Sequence, residues 1–380
     1  MRLGMFAAVL LASAVAPLAA QELQPEEITH AKIAEGTELL FSVDIALNHV
    51  VDGRTYVMDA RTLKPIGIIG TSNLGMVTIP HGSKDIFVAT THLSRTTRGE
   101  RSDFVEVYSG DDLTFKEEIP ISTNRAQALN YRSLFQPSAE LKYLFVQNAT
   151  PATSVTVVDL AAKKQVGDIA NPGCYGIFPS VRIATRFATL CGDGTIGTID
   201  VKPDGTGEMK VSGQIFDADK DAIFTTGFRW GDNWVLPSYG GSVYVINVEG
   251  DTARLVDKIE ASKGVEGNWR AGGYQPLAVH DKSGIAYMLM HSNGTEGSHK
   301  NPAEEIWAVD LKEKRVVGRA ASVPAIAVTV NQGDQPALFA IDGLKAQVVR
   351  YELPAAGQQF SLQPSLTAPG GDLPDQIEVR

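Results

Sequence analysis

An all-β fold is what this 380-residue sequence predicts: a seven-bladed β-propeller of four-stranded antiparallel blades, its ring closed by the C-terminal strand. Three observations carry that expectation. The first is a self-similar unit in which an alternating strand ends at a small or acidic turn residue and a second strand follows. Its copies read TYVMDARTLKPIGII, DFVEVYSGDDLTFKEEIPI, SVTVVDLAAKKQVGDIA, GTIDVKPDGTGEMKVSGQIF, SVYVINVEGDTARLVDKI, EIWAVDLKEKRVVGRA and QVVRYELPAAGQQFSLQ. Their equivalent turn positions are Asp59, Ser109, Asp159, Asp200, Asn247, Asp310 and Glu352, spaced by 41 to 63 residues. The second is a further strand candidate upstream of most copies (DIFVATTH, KYLFVQN, RFATLCG, NWVLPSY, IAYMLMH, ALFAID), with weaker apolar stretches such as MVTIP and PLAVH before several of these. About four short strands per unit is the make-up of a propeller blade. The third is the absence of a long amphipathic helical pattern beyond the N-terminal segment.

Taken in chain order, residues 1–20 (MRLGMFAAVLLASAVAPLAA) read as a cleaved signal peptide: one positive charge at Arg2, an Ala/Leu/Val run, and small residues before Gln21. The run is short and broken by Pro17, unlike the roughly 20 strongly apolar residues of a membrane span. Export to the periplasm is therefore expected. Residues 21–35 read as a polar N-terminal arm and 36–380 as the propeller. The first unit lacks an innermost strand, and DQIEVR at the tail is expected to supply it. Closing the ring removes an open strand edge.

An exported chain meets an oxidising compartment. Its only two cysteines, Cys174 and Cys191, are then most simply one disulfide. The rival is a metal site, which needs three or four thiolate or imidazole ligands; no His lies between or beside them. Loss of Arg2 takes the formal charge from −10 to −11, so the protein should repel nucleic acid and anionic membrane surfaces.

Signs of chemistry within the chain are sparse. The histidines His30, His49, His81, His92, His280, His291 and His299 form no dense ligand pattern. His291 and His299 share the loop MHSNGTEGSHKNPAEE, where scattered surface histidines are a better account than a metal site. His280 reads as a hydrogen-bonded strand residue. No nucleophile elbow, phosphate loop or dinucleotide fingerprint occurs. NAT at Asn148 and NGT at Asn293 match glycosylation acceptors, a common signal. RTTRGERSDF gathers Arg95, Arg98 and Arg101 around Glu100 and Asp103, either as an internal ion-pair network or as a seat for an anion.

Several stretches in order carry a resemblance: TRGERSDFVEVY, NY-x-x-LF at Asn130 to Phe135, LFVQNATPATSVTVVDL, PGCYGIFP followed by CGDGT, WRAGGYQPLAVH, and MHSNGTEGSHKNPAEEIWAVDL. From about residue 38 onward the chain resembles the heavy subunit of the tryptophan-tryptophylquinone amine dehydrogenases, closer to the aromatic amine dehydrogenase branch than to methylamine dehydrogenase. The resemblance implies a propeller with one internal disulfide, paired two-plus-two with a cysteine-rich light subunit. It places no catalytic, cofactor-binding or metal residue in this chain: the tryptophan tryptophylquinone and the catalytic aspartate belong to the light chain. Trp230, Trp234, Trp269 and Trp307 are then packing or interface anchors. The complete enzyme would oxidise a primary amine to aldehyde and ammonia and pass electrons to a blue copper protein such as azurin or amicyanin. In methylamine enzymes a phenylalanine in a VFSR stretch helps line the substrate channel; here the stretch is HLSR, which puts Leu93 at that position. The smaller side chain leaves room for a bulkier amine. The alternative function is a stand-alone periplasmic propeller acting as a binding or scaffold protein.

Overall fold

Tight hairpins are the local device from which the fold is built, and three of the repeat's acidic turn residues cap them. Asp59 Oδ1 accepts the N–H groups of Arg61 and Thr62, Asp310 Oδ1 those of Lys312 and Glu313, and Asp159 Oδ1 that of Ala162. A short carboxylate that bonds backbone two or three residues on fixes the turn. Four residues after each aspartate comes a left-handed residue: Leu63 (φ 54°), Lys163 (φ 52°) and Lys314 (φ 56°). The ladder then slips by one at Val57/Met58, Val157/Val158 and Ala308/Val309. Such bulges add twist, which neighbouring sheets in a ring require.

The computed structural model describes residues 30–127, 130–355 and 357–380. The expected signal peptide and most of the 21–35 arm lie outside the described residues. Lys32–Arg380 is one unit by itself. Its only helices among the described residues are four short 3-10 turns.

Five sheets are four-stranded. In the first, Pro374–Val379 lies inside Leu39–Asp44, Gly53–Asp59 and Pro65–Ser72. The C-terminal strand thus completes the first blade, pairing Phe41 with Glu378 and Ser42 with Ile377, as DQIEVR predicted. The others run Met76–Thr78 to Phe115–Ile121, Phe135–Pro137 to Lys164–Ala170, Cys174–Pro179 to Gly207–Val211, and Phe228–Trp230 to Arg254–Ile259, each in chain order from the axis outward. The sixth sheet has eight strands, from Arg270–Ala271 and Leu277–His280 to Pro364–Pro369.

The expectation of seven four-stranded blades is therefore corrected: five four-stranded blades stand beside one continuous eight-stranded sheet. The reason is the 16-residue strand Arg315–Val330, RVVGRAASVPAIAVTV, which contains no turn-forming break. It pairs with Ala303–Asp310 as far as Ala325 and with Ala337–Asp342 from Ala325 onward. The last two repeats share it. The long sheet folds on itself, so that Ala278, Leu289 and Ala308 pack in one cluster with Val328, Leu338 and Val349.

Every hydrophobic cluster draws on two neighbouring sheet layers, as in the pairing of Val235 and Val245 with Met288 and Trp307. The strands second from the axis are covered on both faces. Leu39–Asp44, Tyr143–Asn148, Arg186–Cys191 and Ala337–Asp342 are buried at every position. Burial on both faces is why apolar residues occupy consecutive positions in them instead of alternating, as in LLF, YLFV and ALFAI. The outer strands alternate instead, leaving Ile68, Phe115 and Val211 exposed.

Candidate functional site

The ladder registers place one set of loops together. In each unit the innermost strand begins beside the end of the second strand: Pro374 pairs with Asp44, Cys174 with Cys191, and Ala325 with Asp342. Hydrogen bonds between units confirm that these ends share a face. Arg125 reaches the carbonyls of Asn73 and Leu74, Arg132 that of Gly227, Thr226 that of Tyr274, and Tyr274 N–H that of Ile326. On this face lie the 94–100 loop, the 149–153 loop, the cysteine pair, the 264–275 segment, the 292–302 loop and the segment from Asn130 to Phe135. All the signature stretches quoted above meet there.

Leu93 is the last residue of Asp85–Leu93, half-buried opposite Arg101 at the foot of the exposed 94–100 loop. Beneath it is a buried polar network. Thr91 Oγ1 donates to Asp103 Oδ1 at 2.7 Å and accepts from Arg125 at 2.7 Å. Arg101 forks onto Asp103 at 2.9 and 2.6 Å and reaches the Arg125 carbonyl at 3.1 Å. Arg125 is 1% exposed, and burial pushes its guanidinium down to about 10, opposed by the nearby Asp103 carboxylate. Of the arginine cluster, then, Arg101 is an internal ion pair. Arg95 and Arg98 are exposed, with no carboxylate partner among the described residues. Next to the loop, His92 Nε2 lies 2.7 Å from Glu106, which also accepts from Tyr108; burial first, then Glu106, raises that phenol.

WRAGGYQ and the MHSNGTEGSHK loop form one unit. Gly273 holds φ at 107°, and a Cβ there would meet the Ile326 carbonyl at 2.5 Å; a Cβ on Gly272 would meet the Asn301 carbonyl and His291. The loop packs too closely for any side chain at either position. His291 is buried with Nδ1 3.1 Å from the Ser292 carbonyl, while His299 stacks on Tyr239 with ring centroids 4.3 Å apart. Burial, then Lys300, lowers the His299 imidazole below its ordinary range. The stacked pair lines a cavity of about 130 Å³ with Arg270, Thr295 and Glu296. Among the described residues no three His, Cys, Asp or Glu side chains converge as a metal set.

Cys174 and Cys191 are disulfide-bonded, both buried. His280 bonds Ser283 and the Gly333 carbonyl, the hydrogen-bonded strand residue expected. Asn148 is wholly buried on Ser154 and Thr156, which removes it as a glycosylation acceptor. Trp234 and Trp307 are core residues; Trp269 packs on Trp307, and Arg319 lies over both rings.

Residues 38–359 match the methylamine dehydrogenase heavy chain (MADH) family. The chain belongs to that family. Among relatives, the methylamine dehydrogenase heavy chain of Methylophilus methylotrophus is 26% identical over 325 residues, covering 84% of this chain and 79% of the relative. That of Paracoccus versutus is 27% identical over 299 residues, covering 75% and 67%. Two solved structures share the fold alone. A Bacteroides fragilis protein assigned as a 6-phosphogluconolactonase has a TM-score of 0.63 at 12% identity, covering 91% of this chain and 98% of its own. The β-propeller domain of Swd1 from Myceliophteria thermophila has 0.58 at 10% identity, covering 85% and 99%. This heavy-chain family member is thus an amine dehydrogenase heavy subunit built on a β-propeller.

Proposed function

We propose that this heavy chain is the large, cofactor-free subunit of a periplasmic amine dehydrogenase that oxidises primary, aromatic amines to aldehyde and ammonia. Its companion is a cysteine-rich light subunit, two of each per assembly, carrying tryptophan tryptophylquinone and the catalytic aspartate. The quinone supplies the redox chemistry; electrons leave to a blue copper protein such as azurin or amicyanin. This chain's part is to position the companion and to wall the substrate channel with Leu93.

The convergence of the signature stretches on one face carries the reading. The same face presents Leu47 and Leu344, 53% and 75% exposed, on loops of adjoining sheets. Loops held on a rigid scaffold are where a companion would dock, and these leucines offer it apolar contact. Pull-down of the tagged chain from its native host tests this: a small, visibly absorbing partner is expected. Recovery of the chain alone, with amine oxidation unaffected by its deletion, overturns it in favour of a stand-alone propeller.

Leu93 gives a second test. In the assembled enzyme Leu93→Phe should narrow the channel, lowering kcat/KM for phenethylamine about tenfold relative to methylamine. An unchanged ratio removes Leu93 from the channel wall.

A further inference from the structure

The axis of the ring holds a carboxyl group that the proposed function does not use. Asp375 is 1% exposed on the closing strand Pro374–Val379. The ladder pairs Val43 with Gln376 and Asp44 with Pro374, so Asp375 is the extra residue of a bulge. A bulge re-aims the side chain it carries. Here Oδ2 accepts the Asn130 N–H at 3.0 Å, across 245 residues of chain, while Oδ1 has no partner among the described residues. Asn130 is 2% exposed, and neither atom of its side-chain amide has a partner among the described residues.

Asn130 opens the segment that spans the axis. Two residues on, Arg132 donates to Glu378 of the same closing strand at 2.8 Å, reaches the Gly227 carbonyl at 3.2 Å and lies 4.5 Å over Phe228. Asn130–Gln136 therefore ties the closing strand to the sheets opposite. The charges around Asp375 give no relief. Asp44 on the adjoining strand is already held by the N–H groups of Ala46, Asp372 and Leu373. Arg132 is committed to Glu378, Asp372 bonds Asn48, and Tyr131, Tyr175, Tyr239 and Tyr274 on the axial side are phenols. No cationic side chain pairs with Asp375 among the described residues.

We infer that Asp375 is a proton-dependent latch: as a neutral acid it holds Asn130–Gln136 across the axis against the closing strand, and losing its proton to solvent releases that segment. A buried carboxyl without a cation keeps its proton rather than its charge. The Asn130 N–H on Oδ2 favours the charged form, and burial outweighs it. Burial, with Asp44 adding to it, raises Asp375 well above the ordinary carboxylate range.

The sign follows from that direction. The latch is complete below the ordinary carboxylate value near about 4 and weakens as pH climbs toward the raised one. Over that window the closed state holds a proton that the open state has lost. Amide exchange of residues 130–136, corrected for its intrinsic pH dependence, should therefore rise about tenfold per pH unit. In Asp375→Asn, which keeps the acceptor and cannot ionise, it should be flat. The infrared carbonyl band of a protonated acid should be present in the wild-type full chain at neutral pH and absent from the variant. Equal pH dependence in both proteins, or no band lost, overturns the latch. So does protection that depends on added sodium, potassium or calcium in the wild type alone, because the carboxylate is then ionised and paired. Should Asp375→Asn fail to fold, the wild-type band and the protection must vanish at the same pH, and a mismatch overturns it.

Discussion

Arg125→Met should destabilise the chain by about 3–5 kcal/mol, the range for breaking a buried charged network. The guanidinium is 1% exposed and donates to the Leu74 carbonyl at 2.7 Å, the Asn73 carbonyl at 2.9 Å and Thr91 Oγ1 at 2.7 Å. Methionine fills most of the volume and supplies none of the donors. The Leu74 and Asn73 carbonyls, and the Ala126 carbonyl at 3.3 Å, lose a donor at a cost of about 1–3 kcal/mol each, and Asp103 loses a neighbouring positive charge. Lysine should rescue little, since a point charge cannot replace the planar fork that reaches two sheets at once. Chemical denaturation of wild type, Arg125→Met and Arg125→Lys checks this. A loss under 1 kcal/mol for methionine means that water already satisfies those carbonyls. The variant should also loosen the 94–100 loop, because the Thr91–Asp103 bond that ties its two strands is buttressed by Arg125 donating to Thr91. Exchange at Ser94 and Glu100 should rise more than exchange in Tyr143–Asn148.

The turn chemistry of the fold was legible because it is local. Asp59, Asp159 and Asp310 stand at the turn position of the repeat, and each caps the hairpin that position implies. Ring closure was legible by subtraction, since the first unit lacked a strand that DQIEVR could supply. The number of separate sheets was not. A repeat count says how often a hairpin recurs, but not whether the chain breaks its ladder between hairpins. RVVGRAASVPAIAVTV does not break it, and Pro324 sits inside the continuous strand just before Ala325, where its two pairings meet. The site divides the same way. Cys174 and Cys191 are short-range and stood out by being alone. Arg125 and Asp375 did not, because their meaning comes from partners 34 to 245 residues away. The one trace in sequence was an isolated charge at each place, Arg125 in NRAQ and Asp375 in LPDQ, and an isolated charge is ordinary on a surface.

Removing the disulfide should cost about 3 kcal/mol, and the loss should arise in the unfolded chain rather than the folded one. Cys174 and Cys191 already face each other in the ladder, with Gly192 N–H on the Gly173 carbonyl at 3.0 Å and Cys174 N–H on the Asn171 carbonyl at 3.0 Å. Those bonds persist in Cys174→Ala with Cys191→Ala, so the native ring barely changes. What changes is the denatured ensemble, freed of a crosslink spanning 17 residues. The double variant should therefore unfold at lower denaturant with an equal or slightly steeper slope, as a more expanded unfolded state requires. Wild type held in reductant should match it. Local consequences belong at the loop face. Past Tyr175 the innermost strand loses register until Phe178, with Gly176 at φ 82°, so only two pairings fix its first half. Exchange at Tyr175 and Gly192 should accelerate well before global unfolding, and capture of the light subunit should weaken if these loops are part of its seat. Unchanged stability in both the variant and the reduced protein would mean that the unfolded chain is as confined without the bridge as with it, and the entropic account of this crosslink would be wrong.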